Sequence, residues 1–167
     1  MTTTATIIKA SSLQSEDLTQ PFIESTSSIF SMMLGWKLEL GEITRSNRFQ
    51  SGNDISGVIG FSGALRGSIV IGLNQQVAFA AAEAFFGGKP TSIDSEVLDM
   101  VGELANMIGG NAKERMVTTG VALGLPMVIS GQGHRISFDP IAQVVLIPFV
   151  SPAGTLTVEI AIRPPEK

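Results

Sequence analysis

Apolar residues recur at three- and four-residue steps in three stretches of the chain, and each stretch reads as a helix. Over Glu16–Leu34 the apolar positions are Leu18, Phe22, Ile29, Phe30 and Met33, with Gly35 as a C-terminal stop. Proline belongs in a first turn, so Pro21 sets the expected start of this helix near Thr19. Gln75–Phe86 reads as the second helix, ended by Gly87 and Gly88. The third runs from about Asp94 to Met116. Plotted at about 100° per residue, Val97, Leu98, Val101, Leu104, Ala105, Ile108 and Ala112 share one face, and Glu96, Asp99, Glu103, Asn106 and Gly110 form a ridge on the other. Ser92 or Asp94 is placed to cap its start, and Lys113 and Arg115 fall in the last turns, where the helix dipole favours cations.

Alternation of apolar and polar residues marks strands. It runs through 36–44, where Trp36, Leu38 and Leu40 alternate with Lys37 and Glu39, and through 54–61 and 67–73, which a turn at 62–66 joins. Further strands are expected at 126–130, 142–150 and 155–162, the last two linked by a Ser151-Pro152-Ala153-Gly154 hairpin turn. Residues 1–12 read as a strand or a frayed end. The order is one helix, three strands, two helices and three strands. It predicts an α+β domain, with long helices packed on a mostly antiparallel sheet, and one domain over 1–167.

Composition narrows the function. With 44% hydrophobic and 16% charged residues most of the chain is expected to be ordered. A net charge of −4 and a scarcity of aromatic residues, with no tyrosine, argue against a nucleic-acid partner. There is no cysteine, which excludes disulfides, thiolate chemistry and cysteine-held metals. The N-terminal residues lack the apolar core of a signal peptide, and the longest apolar runs are too short to span a bilayer. A cytoplasmic protein without a membrane partner is expected.

Conventional catalytic patterns are missing. His134, the sole histidine, reads as a solvated turn residue within Gly131-Gln132-Gly133, and it has neither a Gly-x-Ser-x-Gly elbow nor a second histidine to work with. No phosphate-cradling Gly-x-x-x-x-Gly-Lys-Ser/Thr loop occurs. Glu96, Asp99 and Glu103 could hold a divalent cation weakly, but a solvated acidic face is the simpler account, and no metal of the chain's own is expected. What stands out is Glu103 followed three residues later by Asn106, neighbours on one helical face. An asparagine amide both donates and accepts hydrogen bonds and so can fix a water in one direction. Such a pair suffices as a catalytic aid where a partner brings the reactive group and the metal.

Asp99-x-x-x-Glu103-x-x-Asn106, followed by Gly109 and Gly110, resembles the motif of the CheC/CheX/FliY chemotaxis phosphatases, and its single copy is most similar to CheX. The helix at 75–86 has Glu83 but Phe86 three residues on, so no second copy is evident. The resemblance implies an α/β sandwich and a phosphatase acting on the aspartyl phosphate of a CheY-like response regulator, with Mg²⁺ supplied by the regulator and no cofactor of the chain's own. It assigns Glu103 to pairing with a lysine of the regulator and Asn106 to positioning the attacking water. It matches Asp99 to the family's small or acidic residue one turn earlier. Along the same helix Glu96, Asp99, Met107, Gly109 and Gly110 are expected to face the partner, the glycines by letting a second backbone approach and Met107 by apolar contact or else as a partly buried core residue. The family pattern also carries a later proline, for which Pro126 is the candidate, at a short spacing. A homodimer joined through its sheets is implied as well. The competing reading is an adaptor, or a flagellar-switch-like module, that binds a receiver without hydrolysing its phosphate.

Overall fold

The computed structural model describes residues 16–46 and 52–164. The expected segment at 1–12 lies outside them. Helix α1 spans Glu16–Leu34, α2 Gln75–Phe86 and α3 Ser95–Arg115. The strands are β1 (Glu39–Leu40), β2 (Thr44–Ser46), β3 (Asn53–Gly63), β4 (Arg66–Leu73), β5 (Val121–Leu123), β6 (Met127–His134), β7 (Gln143–Ser151) and β8 (Gly154–Arg163). They form one eight-stranded antiparallel sheet in the order β1-β7-β8-β4-β3-β5, with β2 also on β7 and β6 also on β3. The α+β class is as the hydrophobic pattern predicts.

Side-chain alternation explains how the layers meet. Ile55, Ile59 and Phe61 of β3, Ile69, Ile71 and Leu73 of β4, Val145, Ile147 and Phe149 of β7, and Val158 and Ile160 of β8 are all buried. They pack with Phe22 and Phe30 of α1, Val77 and Ala81 of α2, and Val97, Val101, Leu104 and Ile108 of α3 in one continuous core. Because strand side chains alternate, these residues occupy one face of the sheet. The opposite face carries Ser56, Val70 and Glu159, buried as well.

Several boundaries differ from the pattern reading, each for a tertiary reason. Helix α1 starts at Glu16, so Pro21 sits inside it and not in its first turn. The expected strand at 36–44 is two short ones. Trp36 leaves the helix to stack near Phe30, with ring centroids 6.2 Å apart, and Gly41 donates its N–H to the Pro148 carbonyl at 2.8 Å. A Cβ on Gly41 would lie 2.9 Å from the Pro148 ring. Strand β5 was not expected at all. Strand β6 continues to His134, where a register shift opposite Asn53 and Ile55 absorbs the glycines. His134 is therefore not a solvated turn residue: its Nε2 lies 2.8 Å from the Ser56 hydroxyl and its Nδ1 2.8 Å from the Gly131 carbonyl.

The helix ends follow local chemistry. Gly35 and Gly87 close α1 and α2 at φ of 66° and 86°, a left-handed conformation that glycine adopts without a Cβ penalty. Asn74 caps α2, its side chain accepting from the Val77 N–H at 2.8 Å. Asp94 does the same for α3, accepting from the Val97 N–H at 3.0 Å. Asp94→Ala should therefore lower stability by about 1 kcal/mol, read as a reduced urea midpoint with unchanged slope. An unchanged midpoint would show that the cap carries no weight.

Candidate functional site

Helix α3 is seated on the sheet through its back face, capped at its start by Asp94 and tied to α1 at its end. Beneath it, β3 places Gly57, where an added Cβ would fall 2.8 Å from the Ala105 Cβ and 3.1 Å from the Val101 carbonyl. Helix and strand thus meet at near-backbone contact, and the height of α3 over the sheet is set by small residues. One flank is seated on β5 and β6: a Cβ on Gly102 would stand 3.2 Å from Val128, and one on Gly109 3.2 Å from Ile59 and 3.7 Å from Leu123. At the far end Arg115 pairs with Glu24 of α1 at 3.0 Å and donates to Asn111 at 2.8 Å. A hydrogen bond from Gln20, with the Arg115 charge beside it, holds the Glu24 carboxyl below its ordinary range. A lowered folded-state value means that this link between α1 and α3 is present at neutral pH and lost as the pH falls through that value.

On this platform Glu96, Asp99, Glu103 and Asn106 are exposed, along one side of the helix. None of the four side chains engages in a hydrogen bond or ion pair among the described residues. Glu103 and Asn106 stand one turn apart, with Gly110 a further turn along and half-buried. The amide and the carboxylate are thus held in position by the backbone while their polar atoms stay available. The described residues contain no cluster of three or more His, Asp or Glu side chains placed to hold a metal ion.

The other expected site residues separate. Met107 is half-buried against the core. Gly109 is buried and faces the sheet, not the ridge; its missing side chain makes room for Ile59 and Leu123 rather than for a second molecule. Glu96 borders an open hollow of about 320 Å³ between the end of α2 and the start of α3, lined also by Phe86, Lys89, Thr91 and Asp94.

One neighbour of the site was barely legible in the sequence. Leu123 and Val128 pack on the flank of α3 at Gly109 and Gly102, so the connection between them passes the Asn106 side of the helix. Gly124 is tied down by its N–H to the Gly60 carbonyl at 2.8 Å, and the next residue, Leu125, is 91% exposed. Pro126 follows it and introduces β6. The spacing from Asn106 to Pro126 was the only signal, and it says nothing about Leu125.

The profile of the family described as Chemotaxis phosphatase CheX matches residues 55–150, from β3 through most of β7. A CheY-P phosphatase CheX of Thermotoga maritima is 26% identical over 107 residues, which are 62% of this chain and 69% of that protein. The crystal structure of a CheC-like superfamily protein from Shewanella sp. PV-4 superposes with a TM-score of 0.82 at 32% identity, over 89% of this chain and 99% of that one. A CheX–CheY–BeF₃–Mg²⁺ complex from Borrelia burgdorferi contains a chain similar at TM-score 0.72 and 25% identity, over 87% of this chain and 97% of that one.

Proposed function

Since the chain belongs to the CheX family of chemotaxis phosphatases, we propose that it hydrolyses the aspartyl phosphate of a CheY-like response regulator by inserting Glu103 and Asn106 into the receiver's active site. The observation that carries this reading is the state of those two side chains: exposed, adjacent, free of hydrogen bonds within the described residues, and mounted on a helix whose opposite face is buried from Val97 to Ala112 apart from half-buried Leu98. The relative solved with CheY, BeF₃ and Mg²⁺ supports the choice of partner.

In this mechanism water attacks the phosphorus in line with the acyl-phosphate bond. That bond breaks, the receiver's aspartate leaves as a carboxylate, and inorganic phosphate is released. Phosphoryl transfer of this kind depends mainly on positioning and charge stabilisation. Asn106 accepts from and orients the attacking water, Glu103 pairs with a receiver lysine and sets the register of α3 in the cleft, and Mg²⁺ belongs to the receiver. Glu96, Asp99 and Met107 extend the contact along the ridge. The chain acts as one cytoplasmic domain, paired with a second copy through its sheet.

The direct test is phosphate release from a Mg²⁺-loaded, phosphorylated CheY-type receiver. Substoichiometric amounts of the protein should accelerate it with multiple turnovers. Binding to the phosphorylated receiver without acceleration would assign the chain to the adaptor class. Neither binding nor acceleration with any CheY-type receiver of the source cell would overturn both readings.

A further inference from the structure

Gly109 and Gly110 are adjacent in the interior of α3, where glycine destabilises a helix relative to alanine. The structure gives the first a reason and denies one to the second. A Cβ on Gly109 would press on Ile59 at 3.2 Å, so that glycine serves the seating of α3 on the sheet. A Cβ on Gly110 would meet nothing within 4 Å. Nor does the backbone need glycine there, because Gly110 is not among the positive-φ residues. Neither conformation nor packing inside the molecule explains it.

Its position does. Gly110 lies one turn beyond Asn106 on the same ridge. Side chains on an α-helix lean toward its N-terminus and cover the turn before their own Cα. A side chain at 110 would therefore lean over Asn106. We infer that Gly110 is a specificity-determining clearance position: its bare backbone leaves the Asn106 amide uncovered and lets the receiver loop that bears the phosphoaspartate pass in van der Waals contact with α3. The inference rests on the phosphatase reading.

Gly110→Ala and Gly110→Leu test it, since both replacements are good helix formers and a Cβ at this position meets nothing within 4 Å. Both variants should unfold at a urea midpoint equal to or above that of the wild type. In phosphate release from a phosphorylated CheY-type receiver, kcat/KM should fall by about 10-fold for Ala and roughly 100-fold for Leu. Affinity for the same receiver charged with beryllofluoride and Mg²⁺ should fall in the same order. A Leu variant with wild-type kcat/KM and affinity would overturn the inference, and so would an Ala variant less stable than wild type, which would make Gly110 a structural glycine. If the wild type binds the receiver without hydrolysing its phosphate, the phosphatase reading fails while the affinity series still decides the role of Gly110. If it does neither, both fall together.

Discussion

Replacing Asn106 with alanine is expected to slow receiver dephosphorylation by roughly 100-fold or more while the protein remains folded. Two features of the structure separate activity from stability here. Asn106 is exposed and makes no side-chain hydrogen bond among the described residues, so its removal leaves no buried group unsatisfied. Alanine is also the better helix former, so the thermal midpoint should hold or rise slightly. The whole loss then belongs to the placing of the water. The amide oxygen and nitrogen sit on a short side chain, on a helix seated against β3 at near-backbone contact through Gly57, and that rigidity converts a hydrogen bond into alignment. Asn106→Asp sharpens the test: it keeps the acceptor and the shape but brings a negative charge toward a phosphoryl group, and it should also be slow. Phosphate release by Asn106→Ala at the wild-type rate, from the same phosphorylated receiver, would eliminate the water-positioning role.

The exposed face of α3 that carries the candidate site was legible in the sequence because it depends on one long helix whose period is unambiguous. The apolar positions of α3 from Val97 to Ala112 define its buried face, and Glu103 and Asn106 follow on the other side by geometry alone. Caps and stops at Asp94, Gly35 and Gly87 were legible for the same reason, since each acts within a few residues of the chain. What the sequence did not disclose are features made by distant partners. Strand β5 is three residues between Gly120 and Gly124 and is a strand only because Phe61 to Gly63 pair with it. The alternation at 36–44 is broken where Gly41 meets Pro148, more than a hundred residues away. Gly131 and Gly133 look like a turn and are carried within β6 past a register shift. Gly109 and Gly110 are chemically identical; the helical wheel sets only Gly110 on the ridge, but that Gly109 is packed against Ile59 and Leu123 is a contact made by distant strands.

Reversing the charge of Glu103 is the second large effect expected, and it should appear in binding as well as in rate. Glu103 is exposed and unengaged, so Glu103→Lys costs the free protein little. In the complex it would place a cation against the receiver lysine. Breaking a hydrogen-bonded charge pair at a desolvated interface costs about 2–5 kcal/mol, which corresponds to a loss of affinity of roughly 30-fold or more. Glu103→Gln, which removes the charge and keeps the shape, should fall between the two. Salt separates this role from a merely steric one. Wild-type affinity for the beryllofluoride-charged receiver should weaken as ionic strength rises, whereas the Lys variant should lose that dependence or reverse it, because screening relieves its repulsion. Equal salt dependence in the two proteins would remove Glu103 from the interface. A variant that binds weakly but hydrolyses normally at saturating receiver would leave Glu103 as an anchor and place all of the chemistry on Asn106.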